Sequence, residues 1–201
     1  MTSTGGPRGS YAKTARRREE ILLAGFEVFS ASGYRSGSIR DIAERVGMSQ
    51  AGLLHHFPSK SDLLAGVLAL RDDEARTRIN LDPAAGIETI RGLVNLVDYN
   101  ETIPGLVELH CILSAEATSS DHPAHEYFVN RYSYTVGTAY AALKVAAERG
   151  ELAEGVDPLG VAKSLIALMD GLQVQWLLDR ESVDMGLEVR RYLKPLLTVE
   201  L

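Results

Sequence analysis

The chain has 201 residues, of which 45% are hydrophobic and 24% charged, the composition of an ordinary globular protein. No apolar run approaches the ~20 residues that a membrane-spanning helix needs. The single cysteine, Cys111, cannot form an internal disulfide, which favours a reducing, cytoplasmic location. The basic start of the chain has no apolar segment behind it, so we do not expect a signal peptide.

Charge is distributed unevenly along the chain. Residues 1–60 contain nine Lys/Arg and five Asp/Glu, whereas residues 61–201 contain twelve and twenty-two. The first segment therefore carries +4 and the second −10, which together give the net charge of −6. A basic N-terminal segment on an acidic protein is typical of a local nucleic-acid-binding surface. A chance fluctuation of surface charge is the alternative.

The first predicted helix covers residues 13–32, after a tail at 1–12 that we expect to be disordered. Ile21, Leu22, Phe26 and Phe29 form its apolar face, and Gly33 is suited to end it.

The second predicted helix begins after Ser38, whose side chain can cap it. Asp41, three residues later, makes this a variant of the capping box. Four apolar side chains then follow the i, i+3, i+4, i+7 spacing of one buried helix face: Ile39, Ile42, Ala43 and Val46. Gly47 can adopt the left-handed conformation that ends a helix without steric strain.

A third helix follows at once, with Ser49 as its N-cap and with Leu53 and Phe57 one turn apart on the buried side. The other side chains remain outside: Gln50, Ala51, Gly52, Leu54, His55 and His56. Two short helices joined across a glycine in this way form a helix-turn-helix, in which the second helix is free to enter a DNA major groove. We expect this domain to occupy residues 13–58.

Pro58 ends the third helix, and Ser59 caps a fourth that we expect to cover residues 59–79. Lys60 lies in its first turn, where exposed backbone N–H groups and a positive helix end favour phosphate binding. An ordinary cap beside a solvated lysine is the alternative interpretation. The fourth helix should connect the helix-turn-helix with a second domain at 59–201.

Five further helices are predicted in the remainder of the chain. They begin near residues 83, 105, 124, 157 and 185. The first three end near residues 99, 118 and 149, and the last ends near 197. Breaks contain Pro104, the segment 119–123 and Gly150, while Asp157 and Pro158 form a helix start. With no strand-like alternation anywhere, the sequence predicts an all-α protein of about nine helices.

The eighth helix is apolar on nearly every side, which indicates burial from more than one direction. A second copy of the chain, packed against helices eight and nine as a four-helix bundle, would supply that burial. A deeply buried helix in a monomer is the alternative. The candidate interface residues are Leu165, Leu168, Leu172, Tyr192, Leu193 and Leu196.

The run GYRSGSIRDIAERVGMSQAGLLHHFPSKSDLL resembles the DNA-binding domain of the tetracycline-repressor-like (TetR) family of bacterial transcription regulators. The similarity covers roughly residues 15–65, and it includes the Val46-Gly47-Met48-Ser49 turn and the Phe57-Pro58-Ser59-Lys60 exit. The resemblance implies a homodimer that binds a palindromic DNA operator, with repression relieved by a small molecule.

The resemblance also implies roles for individual residues. The start of helix two, here Ser38 and Arg40, would contact bases and phosphates, and Lys60 would bind a phosphate. Helix three would supply the main readout: Ser49, Gln50, Ala51, Gly52, Leu54, His55 and His56. One position departs from the family pattern, because Leu54 stands where a phosphate-contacting tyrosine is usual, and leucine cannot donate a hydrogen bond to a phosphate.

An effector pocket among the middle helices is implied by the family and by a mixture of polar-tipped and aromatic residues there. The candidates are Tyr99, His110, Tyr132, Met169, Gln173 and Trp176. Each could instead be an ordinary core or interface residue.

Other classes of function receive less support from the sequence. His110, Cys111, His122 and His125 are potential metal ligands, and His122 and His125 have i, i+3 spacing, but no CxxC motif or carboxylate at metal-site spacing accompanies them. We therefore expect no metal and no cofactor, and a metal sensor is the minor alternative. Motifs such as GxSxG and HExxH are absent, so we expect no enzyme. A helical protein that binds small molecules without binding specific DNA is the main rival, and Leu54 lends it some support.

Overall fold

The computed structural model describes residues 8–78 and 81–201, and these ranges contain nine α-helices. They are α1 (Arg8–Ser36), α2 (Ile39–Arg45), α3 (Gln50–His56), α4 (Lys60–Arg78), α5 (Ile87–Glu101), α6 (Pro104–Glu116), α7 (His125–Glu148), α8 (Pro158–Leu178) and α9 (Met185–Leu193). The described ranges contain no strand beyond one isolated antiparallel bridge between Leu152 and Leu197. The predicted all-α class is confirmed.

Helix α1 differs from its prediction at both ends. It begins at Arg8, so residues 8–12 of the expected tail are helical, while residues 1–7 lie outside the described residues. Gly33 does not end the helix but kinks it, with φ 72° and ψ −179°, and a short helical stretch continues to Ser36. The kink turns the end of α1 toward the C-terminal end of α6, against which α1 packs extensively.

Two other predicted helices are interrupted by residues that cannot continue an α-helix. The expected start at Pro83 is a 3₁₀ turn, Pro83–Ala85, and Gly86 at φ 65° separates it from α5. Helix α9 gives way to a second 3₁₀ turn, Lys194–Leu196, because Pro195 lacks the N–H that a further helical hydrogen bond requires. The predicted end of the fourth helix, residue 79, lies outside the described residues.

The apolar side chains form two cores. The first joins α1–α4, through residues such as Phe29, Ile42 and Leu53, to Leu113 of α6 and Phe128 of α7. The helix-turn-helix therefore shares a continuous core with helices from the second predicted domain, and packing does not divide at residues 58 and 59. Helix α6 thus packs directly against the N-terminal helices.

The second core lies among α5, α7, α8 and α9, around Ile90, Leu143, Leu165 and Val189, all of which are fully buried. It fixes the position of α8, whose opposite face is exposed. In the described part of the chain, no helix is both long enough and apolar enough to cross a membrane.

Candidate functional site

The helix-turn-helix is positioned by its caps and by its buried side chains. Ser49 Oγ accepts a hydrogen bond from the Gly52 N–H at 3.1 Å, and Ser38 Oγ accepts one from the Arg40 N–H at 3.2 Å. Gly47 connects the helices at φ 64°. Because Leu53 and Phe57 of α3 are fully buried, the orientation of α3 is fixed and its remaining face points outward.

The residues predicted to contact DNA lie mostly on this outward face. Gln50, Ala51 and His55 are exposed, and Gly52, Leu54 and His56 are half-buried. Arg40 is also exposed, and its Nε donates to Glu44 Oε1 at 2.9 Å across one turn of α2. An exposed pair of this kind contributes little to stability, so Arg40 can exchange its partner for a phosphate or a guanine at small cost.

Lys60 occupies a more enclosed position than its sequence suggested. Its Nζ donates to the carbonyl of Arg35 at 3.2 Å and lies 4.5 Å from the centre of the Tyr34 ring. Partial burial lowers the pKa of this lysine, while the nearby Glu116 carboxylate opposes the shift. An ammonium has three N–H donors, so Lys60 retains capacity to bind a phosphate while its stem is held in place.

Arg18 is a further contributor that the sequence did not single out. Its guanidinium lies 4.0 Å from the centre of the Phe57 ring and donates to the His56 carbonyl at 2.7 Å. A cation at the last carbonyl groups of a helix stabilises that helix end. The partner lies 38 residues away in the sequence, too far for local spacing to indicate the contact.

The second candidate site is a cavity of about 580 Å³ between α4 and the helices α5–α8. This volume falls in the range of small-molecule binding sites. The predicted pocket residues that line it are Tyr99, His110, Tyr132, Met169 and Gln173.

Trp176, the sixth predicted pocket residue, does not line this cavity. It is 5% exposed within the second core, and the Arg180 guanidinium covers its ring at 4.9 Å. It lies one turn beyond Leu172 on α8, and the face that these two share packs into the core of the bundle.

A buried polar network crosses the cavity wall. Asp170 of α8 accepts a hydrogen bond from Tyr132 Oη at 2.7 Å and pairs with His110 Nε2 at 3.1 Å. Burial lowers the pKa of His110, although Asp170 opposes this, so the imidazole is neutral at pH 7. Burial, reinforced by the hydrogen bond to Asp170, raises the pKa of Tyr132. Asp170 was not predicted, although it is the one ionisable residue between Lys163 and Asp179.

A second polar group lies where α4 meets α7. Asp72 Oδ1 accepts from Arg131 Nη1 at 2.7 Å and from Tyr127 Oη at 2.9 Å. Arg71, the neighbour of Asp72 on α4, also lines the cavity. These residues were missed because their partners are separated by more than fifty positions and no motif connects them.

Glu116 connects the C-terminal helices to the N-terminal ones. Its carboxylate accepts hydrogen bonds from the backbone N–H groups of Tyr34 and Arg35, at 2.7 and 3.2 Å, just after the kink at Gly33. His122 Nε2 lies 3.4 Å from the same carboxylate, and the Tyr34 ring packs edge-on to the His122 ring. Because Tyr34 also supports Lys60, one acidic side chain links α6 to the DNA-facing surface.

The histidines that could have been metal ligands have other partners. His110 pairs with Asp170, His122 Nδ1 accepts from the Ala124 N–H at 3.2 Å, and His125 Nδ1 donates to the Ala117 carbonyl at 2.8 Å. Burial raises the pKa of Cys111 to about 11. In the part of the chain that the structure describes, no three His, Cys, Asp or Glu side chains are arranged to hold a metal ion.

The predicted dimer contacts divide into two groups. Leu165, Leu172 and Leu193 are 0–5% exposed and pack inside the chain's own second core. Their helical stripe therefore faces the rest of the same chain. Leu168, Tyr192 and Leu196 are half-buried.

Another face of α8 is exposed and apolar. Val174 is 49% exposed and Leu178 is 83% exposed. Ala167 and Gly171 are also exposed, at positions that place them on the same side of the helix. On α7, which packs against α8, Tyr140 is 36% exposed. This surface, which we call the α8 outer face (Ala167, Gly171, Val174 and Leu178), is the best candidate for contact with a second copy.

Comparison with known proteins identifies both parts of the chain. Residues 21–67 match the model of the bacterial regulatory proteins of the TetR family, and residues 105–197 match the C-terminal domain of BetI-type transcriptional repressors. Together the two matches cover more than two thirds of the chain.

Individual relatives agree with these matches. The nucleoid occlusion factor SlmA of Vibrio campbellii is 34% identical over 103 residues, which are 49% of this chain and 53% of that protein. The chain thus aligns with about half the length of that relative. The HTH-type transcriptional regulator UidR of Escherichia coli K12 is 25% identical over 172 residues, 85% of each chain.

Solved structures share the fold. A protein of Saccharomonospora viridis, described as a transcriptional regulator in complex with choline, superposes with a TM-score of 0.76 at 23% identity. The superposition covers 92% of this chain and 100% of that one. The relatives are regulators and a nucleoid occlusion factor rather than enzymes, in agreement with the prediction from the sequence. The chain belongs to the TetR family of bacterial regulatory proteins.

Proposed function

We propose that the protein is a transcriptional repressor that binds a palindromic operator as a homodimer in the cytoplasm and releases it when a small molecule binds. The observation that carries the proposal is the pairing of an outward-facing α3 with a ligand-sized cavity. The two features share one core, and α4 runs from one to the other. Family membership supports both parts.

The DNA contacts we propose are those of the exposed helix-turn-helix surface. Arg40 suits guanine and Gln50 suits adenine, because each can form two hydrogen bonds with the major-groove edge of that base. Ser38, Ser49 and Lys60 would contact phosphates, and Ala51 and Gly52 allow close approach of the backbone. His55 and His56 add polar contacts at the end of α3.

One α3 helix makes too few contacts for tight, selective binding, so two copies are needed. In a symmetric dimer the two α3 helices bind half-sites about 34–36 Å apart. The α8 outer face supports an isologous interface, because a twofold axis beside α8 would bury its exposed apolar side chains against their own copies.

Release requires only a modest difference in affinity. If the effector binds more tightly to a conformation in which the readers are wrongly spaced, it shifts the population toward that conformation. A hundredfold loss of operator affinity corresponds to about 2.8 kcal/mol of differential binding. Choline is the ligand recorded for the Saccharomonospora viridis protein.

A gel-shift experiment with the DNA upstream of the protein's own gene tests the proposal. We expect retardation that unlabelled specific duplex competes and random duplex does not, and that Gln50→Ala weakens. The matched control Glu148→Gln, at the far end of α7, should bind like the wild type. Absence of a specific complex at low salt would instead favour the rival, a small-molecule-binding protein without an operator.

A further inference from the structure

Arg71 is an arginine that forms no ion pair with an acid among the described residues. It lies on α4, where it is half-buried and lines the cavity. Its side-chain hydrogen-bond partner is the neutral Tyr127 hydroxyl. Removing a charge from water without an opposite charge beside it is costly, so an anion from outside the chain would stabilise this arginine.

Arg131, in the same cavity wall, differs from Arg71 because it forms an ion pair with a carboxylate. Its Nη1 lies 2.7 Å from Asp72 Oδ1, an oxygen that also accepts from Tyr127 Oη. Asp72 Oδ1 is thus engaged by Arg131 and Tyr127. Among the side chains that the structure describes where α4 meets α7, the two cations Arg71 and Arg131 lie beside one carboxylate, that of Asp72, so their positive charge exceeds its negative charge.

The electrostatics at Arg71 agree with that geometry. Burial is the main cause that lowers the pKa of Arg71, and repulsion from Arg131 is the next. Attraction to Tyr127, attraction to Asp72 and a hydrogen bond with Tyr127 act in the other direction, and each is smaller than that repulsion. The site therefore favours an added negative charge over any further cation.

The other acid of the cavity does not cancel this preference. Asp170 has hydrogen-bond partners on both oxygens, His110 at 3.1 Å and Tyr132 at 2.7 Å. Both carboxylate oxygens of this α8 residue are therefore already stabilised by hydrogen bonds, one to α6 and one to α7. An anion bound at Arg71 gains a new charge-assisted pair, whereas a cation at Asp170 would have to compete for engaged oxygens.

We propose that the effector is an organic acid whose anionic group pairs with Arg71 and whose apolar body packs on Leu93, Leu96, Leu106 and Ile166. This inference rests on the proposed function, because it names the chemical class of the ligand that releases the operator. A planar guanidinium binds a carboxylate through two parallel hydrogen bonds. The leucine and isoleucine side chains line the same cavity. A small inorganic anion could pair with Arg71 but has no apolar body to contact these side chains.

The position of Arg71 also suggests how the signal leaves the cavity. Arg71 lies on the helix that begins at Lys60 beside the DNA-facing surface. An anion held between Arg71 and the α7 residues would draw α4 toward α7, and the N-terminal helices packed on α4 would follow. Ligand binding at this residue would therefore move the helix-turn-helix.

Calorimetric titration with matched probes tests the proposal. The probes are the ω-phenylalkanoic acids from phenylacetate to 6-phenylhexanoate, the corresponding amides and the corresponding amines. We expect at least one acid to bind about tenfold more tightly than its amide, since a charged hydrogen-bonded pair is replaced by a neutral one. Binding by no acid in the series, or equal or tighter binding of the amide or amine, would overturn the proposal.

The variant Arg71→Gln should abolish the preference for acid over amide while leaving amide binding unchanged. Thr135→Ser, elsewhere in the cavity wall, is the matched control and should keep the preference. A preference that persists in Arg71→Gln contradicts the assignment of the anion to this residue.

Two further measurements separate this inference from the proposed function. Circular dichroism and thermal unfolding show whether Arg71→Gln is folded, and we expect it to unfold at a temperature no lower than the wild type, because an unpaired buried charge is removed. Gel shifts without any acid should be the same for both. If operator binding fails in both proteins while the acid preference is present, the inference holds and the repressor function is wrong.

Discussion

Leu54 lies on α3 at the position where the resemblance to the TetR family implies a phosphate-contacting tyrosine. It is half-buried on α3 and has no polar atom in its side chain. A hydrogen bond to a charged group contributes about 1.5–3 kcal/mol. A tyrosine hydroxyl at this position would have room to reach a phosphate, because the neighbouring residues Gln50 and Ala51 of α3 are exposed.

We expect Leu54→Tyr to strengthen operator binding by about tenfold, through a new hydrogen bond to a phosphate. Leu54→Phe supplies the same ring without the hydroxyl and should bind like the wild type. The salt dependence should not change, because tyrosine is neutral and displaces no counterion. Fluorescence anisotropy with a labelled operator measures both quantities, and equal affinities for the three proteins would show that the position does not contact phosphate.

At the scale of single residues, the sequence was informative about exposure and uninformative about partners. The outward positions of Gln50 and His55 follow from helix periodicity alone. In contrast, the contacts of Lys60 with Arg35 and Tyr34, and of Glu116 with the end of α1, join positions 25 and 82 residues apart. Helical spacing carries no information about such distant pairs.

The element with the most specific geometry is α1, whose kink brings two N–H groups to Glu116. Gly33 adopts φ 72° and ψ −179°, a combination essentially restricted to glycine. A Cβ at this residue would also lie 2.6 Å from Glu116 Oε1, so a side chain would displace the carboxylate.

We therefore expect Gly33→Ala to destabilise the protein more than Gly47→Ala does. Gly47 shares a positive φ of 64°, but a Cβ there meets no atom within 4 Å. Gly47→Ala should lower the free energy of unfolding by about 1 kcal/mol, and Gly33→Ala by about 3 kcal/mol or more. Urea denaturation measures both. If the two variants lose the same stability, the contact with Glu116 does not hold α1 in place.

Helix boundaries were predictable where a local signal exists and not elsewhere. Asp157 caps α8 as expected, with its carboxylate accepting from the N–H groups of Leu159 and Gly160. The separate 3₁₀ turn before α5 was missed, because Pro83 is an equally good first residue for either type of helix. Gly86 could have indicated that the 3₁₀ turn and α5 are separate, since glycine readily adopts the positive φ that interrupts a helix.

At the scale of the whole molecule, the exposed apolar surface points to a dimer. We expect Val174→Asp to convert a dimer into a monomer, because a charge would be buried against its own symmetry copy at the interface. Val199→Asp, on an equally apolar position outside the α8 outer face, should remain dimeric. Sedimentation velocity at micromolar concentration distinguishes the two, and a dimeric Val174→Asp protein would exclude this surface as the interface.

The two faces of α8 differ in a way that hydropathy alone does not determine. A helix that is apolar on most sides must pack against both its own chain and another, but hydropathy does not tell the two faces apart. The face of α8 with Leu165 and Leu172 is buried in the chain's own core, whereas the face with Val174 and Leu178 is exposed. That assignment depends on the positions of α5, α7 and α9, which only the folded structure supplies.

The length of α4 has a mechanical consequence. Its 19 residues span about 28 Å, so a tilt of about 6° at the cavity end moves the opposite end by about 3 Å. In a dimer with two such levers, the distance between the readers would change by about 6 Å, close to two base-pair steps of ~3.4 Å. A displacement too small to disturb the core around α8 would therefore put both recognition helices out of phase with a rigid DNA helix.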